Sequence, residues 1–280
     1  MRLPSLLLIN DLSGFGKVAI SASLPLLSSC QIETSLLPSV LLSTHTAFPN
    51  PYRCTLQHDM SAILKHWETL NLSFDAILTG YFNDDAQIDY LLSHLPKHQL
   101  LIVDPVMADN GHLYRGFSNE YPMHMARLCQ KADIIMPNLT EACLLANRNY
   151  LSTYTYEDIQ HLLETLHTQL HVDTIIITGI SFDKQSIGAM FLHQGECHYC
   201  SSSYIPHHFF GSGDMFSALI AAFTLHHIPL PQGVQMALDF IVACLHDTCA
   251  SNREITHGII FEKQLHQLHH LIKGNYYDTK

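Results

Sequence analysis

Short apolar runs alternate along the chain with longer amphipathic segments. The runs are rich in Leu, Ile and Val, which is typical of strands buried on both faces of a parallel sheet. They predict strands over 5–10, 31–36, 76–79, 100–103, 134–136, 174–178 and 189–193. Segments of helical period predict helices over 17–29, 56–70, 84–95, 119–131, 140–146, 155–169, 213–226, 231–250 and 261–272. This order predicts an α/β fold, with a central, mostly parallel sheet and helices on both faces.

No linker in the sequence is long enough to divide the chain, so we expect a single domain over residues 1–280. Two proline-bearing loops are predicted, 43–51 and 201–210, and the first is a candidate lid or substrate wall. In parallel sheets, ligands bind beyond the carboxyl ends of the strands. Polar residues stand at those ends in this chain: Asn10, Asp11, Thr79, Asp104, Asn138 and Thr178.

Composition narrows the class of protein. Hydrophobic residues make up 47% of the chain, and no apolar run approaches the ~18 residues that span a bilayer. The N-terminal apolar run is too short for a secretion signal, so we expect a cytoplasmic protein that does not bind membranes. The eight cysteines are then expected to be reduced thiols.

Net charge constrains the ligands. Lysine and arginine number 14 and aspartate and glutamate 25, which gives −11 at pH 7. Such a chain is a poor nucleic-acid binder. Side-chain cations are scarce, so a bound nucleotide would have to be met by backbone amides, a helix N-terminus and a metal such as Mg²⁺.

One pair of cysteines has a spacing that is found in metal sites. Cys197 and Cys200 lie three residues apart in an alternating, strand-like segment. Residues three apart in a strand point to opposite faces of the sheet. This placement argues against a zinc site.

The segment Gly211-Ser212-Gly213-Asp214 opens a predicted helix and precedes a strongly apolar run. The first N–H groups of a helix have no intrahelical partner and attract anions, phosphate above all. An Asp at such a site can act as a base that takes a proton from a hydroxyl while the N–H groups stabilise a phosphoryl group. A plain helix N-cap is the alternative, and these residues alone do not decide between the two.

A second glycine-bearing turn, Gly14-Phe15-Gly16-Lys17, follows the first predicted strand. It resembles a phosphate-binding loop but lacks the required spacing, with Val18 at the hydroxyl position. A tight strand-to-helix turn is favoured, and a turn that faces the substrate is compatible with it.

Carboxylates follow two strands in the middle of the chain. Asp104 and Asp109 flank a turn, and two such groups near a phosphate can hold Mg²⁺ directly or through water. Asn138 and Glu141 open a helix and could reach the same ion. The structural alternatives are turn formation for the first pair and helix capping for the second.

Two further motifs suit a small aromatic substrate that forms hydrogen bonds. His45 and Thr46 follow one apolar run, and Tyr81 follows another. Tyr81 would pack on the ring, and His45 and Thr46 would form hydrogen bonds with it. The alternative for His45 is a loop histidine that is satisfied within the protein.

Taken together and in this order, these motifs resemble those of the vitamin B6 kinases, the pyridoxal/pyridoxamine kinase branch of the ribokinase-like superfamily. The resemblance runs over nearly the whole chain. It implies ATP-dependent phosphorylation of the 5′-hydroxymethyl group of pyridoxal, pyridoxamine or pyridoxine. It makes Asp214 the base and the amides of Gly211, Ser212 and Gly213 the anion hole.

The resemblance also implies the remaining parts of the site. Asp104, Asn138 and Glu141 would surround Mg²⁺ and the phosphates, and Thr178 would contact the phosphates of ATP. Asp11, Thr46 and Tyr81 would line the pyridine site. Members are usually homodimers, and many use a monovalent cation such as K⁺.

Three positions depart from the family pattern and leave the preferred vitamer open. Asp11 stands where many relatives have Ser, Met136 where Thr is frequent, and Ala108 where Gly is usual. A hydroxymethylpyrimidine kinase of thiamine metabolism is the nearest alternative, although that group often has Cys at the position of Asp214. A non-catalytic protein that binds the vitamer is a second alternative.

Overall fold

Six parallel strands form the centre of a nine-stranded sheet. The computed structural model describes the backbone of residues 2–278 and the side chains of residues 2–272. The strand order is β11-β10-β9-β8-β5-β4-β1-β2-β3, and only the edge strands β3, β10 and β11 run antiparallel to their neighbours. The strands are β1 (Ser5–Phe15), β2 (Glu33–Thr44), β3 (Arg53–Thr55), β4 (Ser73–Thr79), β5 (Lys97–Val103), β6 (Ala108–Asp109), β7 (His112–Leu113), β8 (Ile134–Ile135), β9 (Thr174–Ile180), β10 (Ser186–His193) and β11 (Glu196–Ser203). The predicted mostly parallel α/β fold is confirmed.

Helices cover both faces of this sheet. Alternation along β1 sends Leu6 and Leu8 into one core and Leu7 and Ile9 into the other. The first core includes residues of α1, α7, α8 and α9, and the second includes residues of α2 to α6. The helices are α1 (Ala19–Ser29), α2 (Gln57–Thr69), α3 (Asp85–Ser93), α4 (Tyr121–Cys129), α5 (Leu139–Leu145), α6 (Tyr156–Leu170), α7 (Ser212–Leu225), α8 (Leu230–Cys249) and α9 (Leu265–Asp278), with a 3₁₀ turn at Ile255–His257.

The carboxyl ends of the parallel strands remain hydrogen-bonded just beyond the strands themselves. The N–H of Gly80 donates to the carbonyl of Ile9, and that of Asp104 donates to the carbonyl of Thr79. Two strands further along, the N–H of Thr178 donates to the carbonyl of Pro137. These bonds hold the polar residues at the strand ends in one row along the edge of the sheet.

Several short elements differ from the predicted pattern. The first two strands are longer than predicted and stay paired as far as Phe15 and Thr44, so the predicted loop over 43–51 begins inside β2. The predicted loop over 201–210 likewise begins inside β11. Cys197 packs with the second core and Cys200 with the first, as expected for opposite faces of β11.

Among residues 2–278, every helix is too short or too polar to cross a bilayer.

Candidate active site

The N-terminus of α7 is built on a glycine that no other residue could replace without strain. Gly211 is the N-cap and has a φ of +89°. A Cβ there would lie 2.2 Å from the carbonyl oxygen of Lys17. The N-cap position is therefore held by Gly211, which offers no side chain, and neither Ser212 nor Asp214 occupies it. The N–H groups of the first turn have no partner within the helix.

Asp214, the third residue of α7, is half-buried and held by three donors. Its Oδ1 accepts a hydrogen bond from Nδ2 of Asn10 at 3.2 Å, and the backbone N–H groups of Ala19 and of Asp214 itself also donate to its carboxylate. Burial raises the pKa of Asp214, and these three donors oppose that shift. Asn10 was noted only as a polar residue at a strand end, and nothing in the sequence spacing marked it as a partner of Asp214.

A cavity of about 600 Å³ opens in front of this helix end. It brings together nine residues predicted to bind ATP or metal or to act in catalysis: Asp104, Asp109, Asn138, Glu141, Thr178, Gly211, Ser212, Gly213 and Asp214. Residues 204–205 and 207–210 also line it. Within the part of the chain that the structure describes, no lysine or arginine lines this cavity.

Asp104, just after β5, accepts a short hydrogen bond from the Ser217 hydroxyl, with Oγ and Oδ2 2.6 Å apart. Burial, followed by the nearby negative charge of Asp214, raises the pKa of Asp104 to about 7, and the bond from Ser217 opposes this. Ser217 lies one helical turn beyond Asp214. It was missed because it reads in the sequence as part of the apolar run of α7.

Asn138 and Glu141 form a capping box at the start of α5. The backbone N–H of Glu141 donates to Oδ1 of Asn138 at 3.0 Å, and that of Asn138 donates to Oε2 of Glu141 at 2.9 Å. The other oxygen of Glu141 accepts the N–H of Met107 at 3.0 Å. Burial and the charge of Asp104 raise the pKa of Glu141, while these backbone donors oppose the shift. The capping interpretation is therefore confirmed, although both residues also face the cavity.

Asp109 and Thr178 contribute at the cavity wall. The carboxylate of Asp109 accepts hydrogen bonds from the backbone and the side-chain amide of Asn110, at 2.8 and 3.0 Å, so it shapes the turn as its sequence suggested. Thr178 is half-buried near the end of β9 and pairs with Asn138 in an isolated bridge.

Asp11 and Tyr81 lie close enough for the charge of Asp11 to act on Tyr81, and neither of them lines the cavity. Asp11 is buried and accepts a hydrogen bond from the Ser13 hydroxyl at 3.0 Å. Burial and the charge of Asp214 raise the pKa of Asp11 to about 7, and Arg53 opposes this shift. The guanidinium of Arg53 lies 6.0 Å from the ring centroid of Tyr81. Arg53 was not predicted, since it belongs to a three-residue edge strand that the pattern did not reveal.

His45 has a different role from the one predicted. Its Nε2 lies 2.7 Å from the carbonyl oxygen of Thr256, and its Nδ1 accepts the N–H of Ala47 at 3.3 Å. Both ring nitrogens are thus used inside the protein, and burial lowers the pKa of the ring. The prediction that His45 forms hydrogen bonds to substrate is corrected: it braces the loop after β2. Thr46 follows it at an exposed position.

The turn over Gly14–Lys17 carries β1 into α1 and is a structural turn. Nζ of Lys17 is paired with the carboxylate of Glu262 at 2.6 Å, so this cation is engaged away from the cavity. The backbone of Lys17 is clamped between two glycines: a Cβ on Gly211 would meet its carbonyl oxygen, and one on Gly258 would lie 2.7 Å from its nitrogen. The helix end that carries Asp214 therefore rests on this turn.

A carboxylate beside the open N–H groups of a helix, at the carboxyl edge of a parallel sheet, is the arrangement of an enzyme that transfers a phosphoryl group to an alcohol. The chain belongs to the phosphomethylpyrimidine kinase family, which matches residues 52–259.

Its relatives support this assignment and include pyridoxal kinases. The pyridoxal kinase of Lactobacillus plantarum is 32% identical, with a TM-score of 0.91 over 96% of this chain and 98% of that one. A Bacteroides thetaiotaomicron protein assigned to the phosphomethylpyrimidine kinases, in a crystal form with pyridoxal, is 31% identical with a TM-score of 0.88, covering 95% of this chain and 96% of its own. Bovine pyridoxal kinase is 26% identical over 76% of this chain and 74% of its own length. The predicted membership of the vitamin B6 kinase branch of the ribokinase-like superfamily is confirmed.

Proposed function

We propose that this protein transfers the γ-phosphoryl group of ATP to the 5′-hydroxymethyl group of a vitamin B6 vitamer: pyridoxal, pyridoxamine or pyridoxine. The observation that carries the proposal is the carboxylate of Asp214 beside the first-turn N–H groups of α7, at the mouth of the 600 Å³ cavity. Two relatives support the choice of acceptor: the pyridoxal kinase of Lactobacillus plantarum, at 32% identity, and the Bacteroides thetaiotaomicron protein crystallised with pyridoxal, at 31%.

In this mechanism, Asp214 accepts the hydroxyl proton as the vitamer oxygen attacks the γ-phosphorus. A new oxygen–phosphorus bond forms, the bond to the β,γ-bridging oxygen breaks, and ADP leaves with that oxygen. The N–H groups of Gly211, Ser212 and Gly213 face the negative charge that develops on the transferred group. Asp214 must be ionised to accept the proton, so the donors from Asn10 and Ala19 that oppose its raised pKa favour the active form.

We propose that the cavity holds Mg²⁺ together with the nucleotide. Four carboxylates line it and no lysine or arginine of the described residues does. Among those residues, no three His, Cys, Asp or Glu side chains could hold a metal ion by themselves. The ion would therefore depend on the nucleotide phosphates for its other ligands, as is usual for Mg²⁺. Asp104 can reach such an ion directly, whereas Glu141 and Asp109, whose oxygens already accept hydrogen bonds, would contact its water shell. When bound, Mg²⁺ would neutralise charge on the transferring phosphates. Asn138 and Thr178 would lie along the same phosphates.

The vitamer ring is proposed to lie on the opposite side of Asp214. Tyr81 would pack against the ring, and Asp11 would meet a polar ring atom in place of the Ser that is common in relatives. Thr46 would close the exposed side from the loop after β2. Asp11 lies within reach of the charge of Asp214 and in turn acts on Tyr81, which supports this arrangement.

Three broader properties are also part of the proposal: a homodimer, activation by a monovalent cation such as K⁺, and a cytoplasmic location. The first two follow from the family pattern. The third is supported by the eight cysteines, all of which are free thiols.

A substrate screen tests the proposal. Purified protein would be assayed for ATP consumption with pyridoxal, pyridoxamine, pyridoxine and hydroxymethylpyrimidine, each with Mg²⁺ and with EDTA as a control. We expect metal-dependent turnover of at least one B6 vitamer, at a higher kcat/KM than for the pyrimidine. Turnover of the pyrimidine alone would assign the protein to thiamine metabolism. The name of the matching family points to that alternative, whereas the pyridoxal kinase relatives support the B6 vitamer.

A further inference from the structure

We propose that Asn10 is a positioning residue that fixes the orientation and charge state of Asp214 and ties it to the wall of the vitamer site. This inference rests on the proposed phosphoryl transfer, in which Asp214 is the base. Asn10 is 5% exposed and lies at the point where β1 reaches the site.

The orientation of the Asn10 amide is fixed by its own acceptor side. Its Oδ1 accepts the backbone N–H of Asp11 at 2.9 Å and that of Tyr81 at 2.8 Å. An amide whose oxygen faces two N–H donors must direct its NH₂ the other way. That group points at Oδ1 of Asp214, 3.2 Å away. The Asn10 amide therefore acts as a hydrogen-bond donor toward the carboxylate of Asp214.

A second, independent feature shows that space has been kept for this side chain. A Cβ on Gly80 would lie 2.4 Å from Nδ2 of Asn10 and within 2.7 Å of its Oδ1. Any larger residue at position 80 would displace the amide. Glycine at this strand end is thus required by Asn10, since the φ of Gly80 is not in the left-handed region.

The acidic groups around Asp214 make the hydrogen bond from Asn10 important for the charge state of Asp214. The negative charge of Asp214 acts on Asp11 from β1, on Asp104 from the end of β5 and on Tyr114 after β7. The cavity is also lined by the titratable groups Asp109, Glu141, His207 and His208. In this predominantly acidic setting, a carboxylate needs hydrogen-bond donors to remain ionised at neutral pH. Removing the Asn10 donor should move protonation of Asp214 to higher pH.

Because Asn10 also accepts the N–H of Tyr81, a single side chain connects the base and the wall of the vitamer site. A displacement of the Tyr81 backbone would move this amide and thereby change its hydrogen bond to Asp214. The residue is therefore suited to keep the base aligned with the hydroxyl of the bound ring.

The test compares pH profiles of kcat for the wild type, Asn10→Ala and Asn10→Asp, with ATP–Mg²⁺ and pyridoxal between pH 5 and 9. For Asn10→Ala we expect the acidic limb of kcat to move up by about one pH unit, because a hydrogen bond to a charged group is lost. At pH values well below the midpoint of the wild-type limb, kcat should fall about tenfold, with the KM for ATP within about twofold of the wild type. Asn10→Asp keeps the size and both acceptor bonds but replaces the donor with a carboxyl. The acidic limb of kcat for Asn10→Asp should move to higher pH at least as far as that for Asn10→Ala.

Ser23→Ala is the matched control. Ser23 is buried and its hydroxyl donates to the backbone carbonyl of Asp214 at 3.3 Å, so this change loosens the same residue without touching its carboxylate. Its acidic limb should coincide with that of the wild type. If Asn10→Ala fails to fold, as judged by thermal melting, Asn10→Asp alone decides.

Acidic limbs that coincide in the Asn10 variants and the wild type would overturn the inference, as would an equal shift in Ser23→Ala. Such a result leaves the proposed function standing if Asp214→Asn is inactive. An active Asp214→Asn would instead remove the base assignment itself.

Discussion

Two aspartates that line the same cavity, Asp104 and Asp214, accept hydrogen bonds from different partners. Their proposed chemical roles differ accordingly. Asp214 accepts hydrogen bonds from an amide side chain and backbone N–H groups, whereas Asp104 accepts one from the Ser217 hydroxyl. Burial raises the pKa of both, that of Asp104 to about 7. Asp214 also adjoins the open helix end. It is thus placed to serve as the base, while Asp104 is placed toward the phosphates.

Asp214→Asn is expected to lower kcat by about 10²- to 10⁴-fold, because the amide cannot accept the hydroxyl proton. ATP binding should persist, as measured by calorimetry with Mg²⁺ and nucleotide. Asp173→Asn, at a carboxylate whose side chain is 91% exposed, is the matched control and should turn over at the wild-type rate. Wild-type turnover in Asp214→Asn would refute the role.

At the residue scale, the sequence predicted the groups that lie in motifs and missed those that support them. Asp214 and Glu141 stand in recognisable motifs. Asn10 has no such signature, because its role depends on Gly80 and Asp214, which are distant in the chain. The error at His45 has the same origin: its partner, the carbonyl of Thr256, lies 211 residues away.

At the scale of elements, α7 depends on the fit between its N-cap and the turn that follows β1. Gly211 combines a left-handed backbone with a close approach to Lys17, and Gly213 has neither constraint. The two glycines of this motif therefore have different roles. Gly211 is required by the fold, while Gly213 keeps the backbone open toward the cavity.

Gly211→Ala should lower the free energy of unfolding by about 1–3 kcal/mol or more, since both backbone strain and a clash with the Lys17 carbonyl are introduced. Gly213→Ala should be neutral or stabilise the fold by up to about 1 kcal/mol, because alanine favours a helix and nothing lies within 4 Å of the added carbon. Urea denaturation measures both. An equally stable Gly211→Ala would contradict the clamped geometry.

The long elements were predicted because they bury continuous apolar faces, as in β5 and α6. Shorter ones escaped for a physical reason. The strands β3, β6 and β7 have two or three residues each, which is too few to show a period, and they exist only because a neighbouring segment offers a pairing edge.

At the scale of the whole molecule, four acidic side chains line one cavity in a chain of net charge −11. This arrangement opposes stability at neutral pH. Asp104 has an ordinary pKa of 3.8 and a pKa of about 7 in the folded state. Between these values the unfolded chain loses the proton and the folded protein keeps it, so the contribution of this group to the free energy of unfolding falls as pH rises.

The quantity to compare is the free energy of unfolding of Asp104→Asn minus that of the wild type. We expect this difference to be about 1–3 kcal/mol more positive at pH 8 than at pH 5. The measurement is the difference in free energy of unfolding at the two pH values. Asp173→Asn provides the comparison at an exposed carboxylate. A pH-independent difference for Asp104→Asn would mean that this carboxyl ionises normally in the folded protein.

The clamp on Lys17 has a consequence for biosynthesis. The ribosome makes the turn at Lys17 first, Gly211 much later and Gly258 later still, yet the three backbones pack as one unit. A nascent chain that has emerged only as far as α7 holds every proposed catalytic group but lacks the strand-like contact at Gly258 that supports the turn from the other side. Competence for phosphoryl transfer should thus arise only after the segment that carries Gly258 has been made and has docked.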